Sequence, residues 1–147
     1  MKALKQPQSV LVVIHTADLH VLLIERADKP GYWQSVTGSR EGDEAMADTA
    51  RREVAEETGF AADAGHWCDW QQQNVYEIYP HWRHRYAPGV THNTEHVFSL
   101  QLPDTLRPTL APGEHLAWQW LPWDQAAERV FSPSNAEAIR ALPSRVI

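Results

Sequence analysis

The stretch that decides the fold runs from Gly38 to Phe60 and reads GSREGDEAMADTARREVAEETGF. Glu53, Glu56 and Glu57 are spaced i, i+3 and i+4, which places three carboxylates on one face of a helix. Like charges on adjacent turns destabilise a bare helix, so the pattern indicates a bound cation. Hard divalent ions such as Mg²⁺ take oxygen ligands and often share them with substrate phosphates. The spacing therefore predicts a metal site.

A solvated acidic helix face is the more common source of a glutamate cluster, and two features argue against it here. Ala47, Ala50 and Val54 form a narrow apolar stripe on an adjoining face, so we expect this helix to pack on a core. Gly59 follows where a C-terminal cap belongs. The sequence predicts a helix over about 44–58 with its glutamates beside the packed stripe.

The whole segment also resembles the Nudix box, G-x5-E-x7-R-E-U-x-E-E-x-G-U, in which U is a bulky aliphatic or aromatic residue. Every fixed position is present, at Gly38, Glu44, Arg52, Glu53, Val54, Glu56, Glu57, Gly59 and Phe60. One departure is Asp43, because many Nudix boxes carry glycine at that point, whereas here the glycine is at 42. The resemblance implies an α/β fold, an α/β/α sandwich with a mixed β-sheet and a metal-binding loop-helix-loop.

The Nudix resemblance also implies an activity, the hydrolysis of diphosphates linked to another moiety with Mg²⁺ or Mn²⁺. Carried onto this chain, it makes Glu53 and Glu57 the first metal ligands, with Glu56 close behind. It implies that Arg52 holds the glutamates by ion pairing and that the Gly38 carbonyl completes a metal shell. Attack on a polyphosphate needs its charge neutralised and a water oriented, which bound metals can do.

Length and composition agree with a small enzyme. At 147 residues, we expect one domain spanning residues 1–147. The net charge of −6 disfavours nucleic-acid partners, whose backbones select basic surfaces. Cys68 stands alone, so no internal disulfide is possible. The apolar run Val10–Ile14 is shorter than a secretory signal, and no stretch is long enough to span a membrane, so we expect a cytoplasmic protein.

Apolar patterning outlines the remaining elements. The predicted strands are Ser9–His15, His20–Glu25, Trp33–Thr37, Val75–Tyr79, Thr94–Gln101 and Leu116–Leu121. Thr94–Gln101 alternates without a cleanly apolar face. After Pro122 we expect a helix over about 123–130, and Ser134-x-x-Glu137 is a capping box for a last helix through Leu142. The histidines at 15, 20, 66 and 96 lack metal-ligand spacing, so a zinc site is not expected.

The segment His81–Glu95 is dense in cations, imidazoles, aromatic residues and turn formers. Two interpretations stay open from its composition. It is either a loop that folds over a polyphosphate, with Arg83 and Arg85 as anion contacts, or an exposed polar hairpin.

Taken together, WQSVTGS at 33–39 and WRHRYAPGVT-x-NTE at 82–95 resemble the Nudix subfamily of dihydroneopterin triphosphate pyrophosphatases. The similarity runs from about Lys5 to the last helix. It implies a small-molecule triphosphate substrate that is cut to a monophosphate and pyrophosphate, and Glu114 as a further metal ligand. The substrate contacts that it implies are Lys5, Arg26, Thr37, Tyr76, Glu77, Ile78, Tyr79 and Ser132.

Within that set, Tyr76 and Tyr79 are candidates to stack on a flat bicyclic ring, and Glu77 is the candidate to pair with the donor edge of a pterin. Pro133 beside Ser132 departs from the pattern expected there. Two rival functions remain: a nucleoside triphosphate pyrophosphatase acting for example on dATP, and a non-catalytic Nudix ligand-binding module. Such modules usually lose a box glutamate, and all are present here. The sequence does not indicate an oligomeric state.

Overall fold

The computed structural model describes residues 4–145; residues 1–3 and 146–147 of the expected domain lie outside the described part. Its strands are β1 (Gln8–His15), β2 (His20–Arg26), β3 (Trp33–Gln34), β4 (Val36–Ser39), β5 (His66–Glu77), β6 (His92–Gln101) and β7 (His115–Pro122). Its helices are α1 (Met46–Thr58), α2 (Trp123–Arg129) and α3 (Pro133–Arg145), and a 3-10 helix covers Pro80–Arg85.

All seven strands belong to one sheet with the main order β3-β2-β1-β6-β5, while β4 also pairs with β1 and β7 with β2. The central pair, β1 and β6, is parallel, with Ser9 opposite Glu95. The other pairings are antiparallel. The mixed sheet expected from the resemblance is therefore confirmed.

Helices cover both faces of this sheet. Along β1 successive side chains point to opposite faces, so Val10 and Val12 pack with α1 while Leu11 and Val13 pack with α2 and α3. A central strand buried on both faces reads as a continuous apolar run, which is what the sequence shows there. The α/β/α sandwich is confirmed.

Helix α1 buries Ala50 and Val54 completely, as the apolar stripe predicts. It begins at Met46, two residues later than predicted, because Glu44 turns its carboxylate back to accept the amide hydrogen of Glu41. It ends at Thr58 and is capped by Gly59, which has φ of 76° and donates its N–H to the Ala55 carbonyl.

Strand β5 is much longer than the predicted Val75–Tyr79. Its residues from 66 to 74 are mostly polar and exposed, since β5 is the edge strand and packs through only a few side chains such as Trp70. Its pairing with β6 shifts register between Asp69 and Gln73, where Gln71 has φ of 52°. Because of these features, the sequence of β5 lacks the alternation of apolar and polar residues on which strand prediction depends.

One local prediction near the last helix is wrong. Ser134 does not cap α3, because the helix already begins at Pro133 and the Ser134 hydroxyl instead donates to Glu95 at 2.8 Å. The segment from Pro80 to Arg85, for which two interpretations were open, is a 3-10 helix in the connection between β5 and β6. Across residues 4–145, none of the helices is long and apolar enough to cross a membrane.

The left-handed residue at the end of α1 yields a stability prediction. We expect Gly59→Ala to lower the free energy of unfolding by about 1–2 kcal/mol, because a Cβ disfavours this conformation. Gly59→Asn is the matched control, since it adds the same Cβ beside Thr109 but tolerates positive φ better. Urea unfolding measures both variants. Equal losses in the two would attribute the effect to the Thr109 contact and contradict the conformational argument.

Candidate active site

One guanidinium organises the carboxylates of α1 and of the loop before it. Arg52 donates to both carboxylate oxygens of Glu44, at 2.9 and 3.0 Å, and to the Ser39 carbonyl at 2.9 Å. Its Nη1 also donates to Glu53 at 2.7 Å and to Glu56 at 3.2 Å. The planar five-donor fork of arginine suits such divided pairing.

Glu44 anchors this arrangement from the loop. The hydrogen bonds from Arg52, followed by that from the Glu41 amide, lower the pKa of Glu44 to about 2. Glu44 also accepts a hydrogen bond from Thr49 at 3.1 Å. Because Glu44 stays ionised at neutral pH, its pairing with Arg52 fixes the loop to the helix.

Glu53 and Glu57 adjoin one turn apart and have unusual environments. Burial raises the pKa of Glu53, against the opposing effects of Glu57 and Arg52. Burial also raises the pKa of Glu57 well above its usual range, and the neighbouring Glu53 adds to the effect. Glu57 is only 3% exposed, and its Oε2 receives no hydrogen bond. Two ionised carboxylates in this position require a positive partner.

The residues around this pair fit a divalent cation. Glu114, in the loop before β7, lies close enough to raise the pKa of Glu57 further. The backbone of Gly38 passes directly beside Glu53, because a Cβ at Gly38 would overlap that carboxyl group. Oxygen donors and an unsatisfied buried carboxylate oxygen match the preference of Mg²⁺ and Mn²⁺. Among the described residues, however, no three carboxylate, imidazole or thiol side chains are already gathered as a metal cluster.

His115 is a neighbour of this pair that sequence reasoning did not single out. Its Nε2 lies 3.4 Å from Oε1 of Glu57, both side chains are almost fully buried, and its Nδ1 has no hydrogen-bond partner. Burial lowers the pKa of His115, which favours the neutral ring. The signal in the sequence was only its position directly after Glu114.

Across the cleft from the glutamates lies a group of cations. Asp28 accepts two hydrogen bonds from Arg26, both at 2.8 Å, and one from Arg85 at 2.7 Å. The Arg26 and Arg85 guanidinium carbons lie 4.6 and 5.7 Å from the ring centre of Trp82. Hydrogen bonds from Arg26 hold the pKa of Asp28 well below its usual range. Arg83, by contrast, faces Glu77 at 3.4 Å and the Ile78 carbonyl at 3.0 Å.

These groups line two adjoining cavities. One, of about 630 Å³, contains Glu53, Glu56, Glu57 and Glu114, and we call it the carboxylate cavity. The other, of about 320 Å³, has aromatic walls, and we call it the ring cavity. Both are lined by Lys5, Arg26, Gln34, Thr37, Gly38, Ser39 and Arg85, so they form one continuous cleft.

The ring cavity takes its aromatic wall from two parts of the chain, residues 76–86 and Phe131. Trp82 lies edge-on to Tyr79 and to Phe131, with ring centres 5.5 and 5.9 Å apart. Phe131 also packs against Tyr32 at 4.7 Å. Sequence reasoning named Tyr79 but missed Trp82 and Phe131, because nothing in their local sequence separates a cavity wall from core packing.

The structure brings most of the predicted substrate contacts to this cleft. Lys5, Arg26, Thr37, Tyr76, Glu77, Ile78, Tyr79 and Ser132 all line the ring cavity. Arg26 bonds Gln34, which in turn donates to Thr37 at 3.2 Å. Ser132 lies beside Ser134, with their hydroxyl oxygens 3.1 Å apart. Arg85 lines both cavities, whereas Arg83 is absent from both linings.

The floor of the ring cavity contains polar residues that were not predicted. Asn93 and Glu95 of β6 are buried there, together with Asn135 of α3. Asn135 accepts the Ser35 amide hydrogen at 2.9 Å and donates to the Ser35 hydroxyl at 3.0 Å. This pairing separates β3 from β4 where one strand was expected.

With this geometry established, comparison with known proteins identifies the class. Residues 5–142 match the NUDIX domain, and the chain belongs to the NUDIX family. It is 45% identical to the dihydroneopterin triphosphate diphosphatase of Escherichia coli K12, over 94% of this chain and 93% of that protein. It is 41% identical to the enzyme of the same name from Haemophilus influenzae, over 95% and 89%.

A solved structure agrees with these relatives. The E. coli dihydroneopterin triphosphate pyrophosphohydrolase superposes with a TM-score of 0.91 at 44% identity, covering 98% of this chain and 99% of that one. The chain is thus a Nudix hydrolase, and its expected resemblance to this subfamily is confirmed. Members of the family generally use divalent metals.

The close approach of Gly38 to Glu53 gives a test of the site's geometry. We expect Gly38→Ala to lower turnover at least tenfold, because the added methyl group displaces the Glu53 carboxyl. The same substitution should also lower the melting temperature. In a Glu53→Ala background the overlapping atoms are gone, so Gly38→Ala should then cost little stability. An equal stability loss in both backgrounds would show that the crowding is not between these two residues.

Proposed function

We propose that this enzyme converts 7,8-dihydroneopterin triphosphate to dihydroneopterin monophosphate and pyrophosphate, a step of folate biosynthesis. One water is consumed and one phosphoanhydride bond is broken, between the first and second phosphates. The observation that carries the proposal is the continuous cleft, in which an aromatic cavity opens into one lined by carboxylates and cations. A flat ring linked to a triphosphate would fit this cleft, with the ring against the aromatic wall and the phosphates beside the carboxylates and cations. The names of the 45% and 41% identical relatives support the same substrate.

We propose Mg²⁺ as the metal, with Mn²⁺ as a substitute. Its ligands would be Glu53, Glu57 and Glu114, with Glu56 and the Gly38 carbonyl as further oxygen donors. When bound, the metal would neutralise phosphate charge and activate water. Arg52 acts through the glutamates, since it holds Glu53 and Glu56 in place by hydrogen bonds.

The chain's own cations complete the phosphate site. Lys5, Arg26 and Arg85 lie where the two cavities meet, so they would offset the charge of the triphosphate as it passes from one to the other. Asp28 keeps Arg26 and Arg85 together and lessens their mutual repulsion. In the ring cavity, Tyr76, Glu77, Ile78, Tyr79, Thr37 and Ser132 are the proposed substrate contacts.

A nucleoside triphosphate pyrophosphatase would use the same carboxylates and cations, so only the ring cavity separates the two activities. A non-catalytic binding module is disfavoured, because the glutamates of the box are all present and one of them, Glu57, keeps a buried carboxylate oxygen without a hydrogen-bond partner. A single domain and a cytoplasmic location stay predictions from the sequence.

The metal assignment predicts the effect of Glu57→Gln. The change keeps the shape of the side chain but replaces a carboxylate by a neutral amide, a poorer partner for a hard cation. We expect turnover to fall by about a hundredfold or more, with the fold intact by circular dichroism. Activity is measured over a Mg²⁺ titration. Near-normal turnover at saturating Mg²⁺ would remove Glu57 from the metal site.

The substrate assignment predicts selectivity for the ring. Metals and cations bind any triphosphate, so discrimination has to arise in the ring cavity through stacking and hydrogen bonds. We expect kcat/KM for 7,8-dihydroneopterin triphosphate to exceed that for each common nucleoside triphosphate, measured with Mg²⁺ and product analysis. Equal efficiency with dATP would contradict the folate assignment and leave the Nudix hydrolase assignment intact.

A further inference from the structure

Two polar side chains lie side by side on the floor of the ring cavity. Asn93 and Glu95 are two residues apart on β6, so they point to the same face of the sheet. Asn93 is 1% exposed and Glu95 is 3% exposed, yet both line the cavity. On that face β6 continues with Val97, which belongs to the apolar core. On this face of β6 the apolar core thus stops at Val97, and the polar pair Asn93 and Glu95 lines the cavity.

Glu95 is an incompletely paired carboxylate. Its Oε1 accepts hydrogen bonds from Ser134 at 2.8 Å and from Asn74 at 3.5 Å. Within residues 4–145 no side-chain or backbone donor bonds its Oε2, and no Lys, Arg or His forms an ion pair with it. A buried carboxylate without a cation is costly unless hydrogen bonds satisfy it. The protein supplies these to one oxygen and leaves the other toward the cavity.

Asn93 is also incompletely paired. Its Nδ2 donates to the Ser9 hydroxyl at 2.6 Å and to the Tyr76 hydroxyl at 3.1 Å. Its Oδ1 is buried and has no hydrogen-bond partner. A buried acceptor left unsatisfied costs about 1–3 kcal/mol. A carboxylate with one unbonded oxygen and a buried amide oxygen without a partner, at neighbouring positions on one face of β6, indicate a ligand that brings two adjacent donors.

We propose that Glu95 and Asn93 determine ring specificity by accepting the ring N–H and the 2-amino hydrogens of a 2-amino-4-oxo ring. This inference rests on the proposed function and names the contact that recognises the 2-amino-4-oxo edge of its substrate. The pterin ring offers these two donors on one edge, and adenine offers no such adjacent pair. Glu77, the candidate from the sequence, is less suited, because it lies at the exposed rim and faces Arg83.

The experiment compares three purines with the pterin. Guanine has the same two donors on one edge as a pterin, hypoxanthine keeps the ring N–H but has no 2-amino group, and adenine has neither donor on that edge. In the full-length enzyme, kcat/KM is measured for dihydroneopterin triphosphate, dGTP, dITP and dATP. Where turnover of a nucleotide is too slow, its inhibition constant replaces kcat/KM. The variants are Glu95→Gln, Glu77→Gln and, as an exposed control on α2, Glu128→Gln.

We expect Glu95→Gln to lower the values for the pterin and dGTP by roughly ten- to a hundredfold, because an acceptor is exchanged for a donor. The value for dITP should fall less, and that for dATP by less than about twofold. Glu128→Gln should match wild type throughout. If thermal unfolding shows that Glu95→Gln folds poorly, Asn93→Ala replaces it. We expect Asn93→Ala to give the same order of losses among the four substrates, with smaller changes.

Three results would overturn the inference: equal losses on all four substrates, an unchanged ratio of pterin to dATP in both the Glu95 and Asn93 variants, or a selective loss in Glu77→Gln instead. The proposed function is tested separately by the wild-type order. If wild type prefers dGTP to the pterin but Glu95→Gln still spares dATP, the contact stands and the proposed substrate fails. If wild type prefers the pterin but the variants lose activity on all substrates alike, the proposed substrate stands and the proposed contact fails.

Discussion

The cleft depends on the pairing of Arg52 with the carboxylates around it. Glu53, Glu56 and Glu57 repel one another along α1, and a chain with those charges alone would favour an unravelled helix end. Arg52 offsets this repulsion while its bonds to Glu44 and the Ser39 carbonyl tie the loop and β4 to the helix. A lysine has neither the number nor the planar arrangement of donors to replace it.

The two faces of the sheet support different parts of the cleft. On one face, β1 and β4 support α1 and thereby the glutamates; on the other, β1 and β6 meet α3 around the floor of the ring cavity. The parallel pairing of β1 with β6 sets Ser9 next to Glu95, so polar residues from both strands occupy the same end of the sheet. The carboxylates of α1 and the floor of the ring cavity are therefore both supported by the same sheet.

The sequence was informative where a pattern is local. The spacing of the box predicted α1 and the carboxylate site, because it places Glu53 and Glu57 together on a helix, and the Nudix resemblance implied the fold. It was uninformative for Trp82, Phe131 and Asn135, whose roles depend on long-range contacts. Asn93 and Glu95 gave a partial signal: β6 lacked a cleanly apolar face although it is central. That irregularity marked the cavity floor, but only the fold shows which side of the strand faces it.

The pairing of Asn135 with Ser35 joins residues 100 positions apart. Ser134, its neighbour, holds Glu95 in the same way. Both bonds come from the first turn of α3, so the ring cavity is incomplete until that helix docks on the sheet. During synthesis the Nudix box leaves the ribosome long before α3 does. The ring cavity of a nascent chain is therefore complete only when its last helix has emerged.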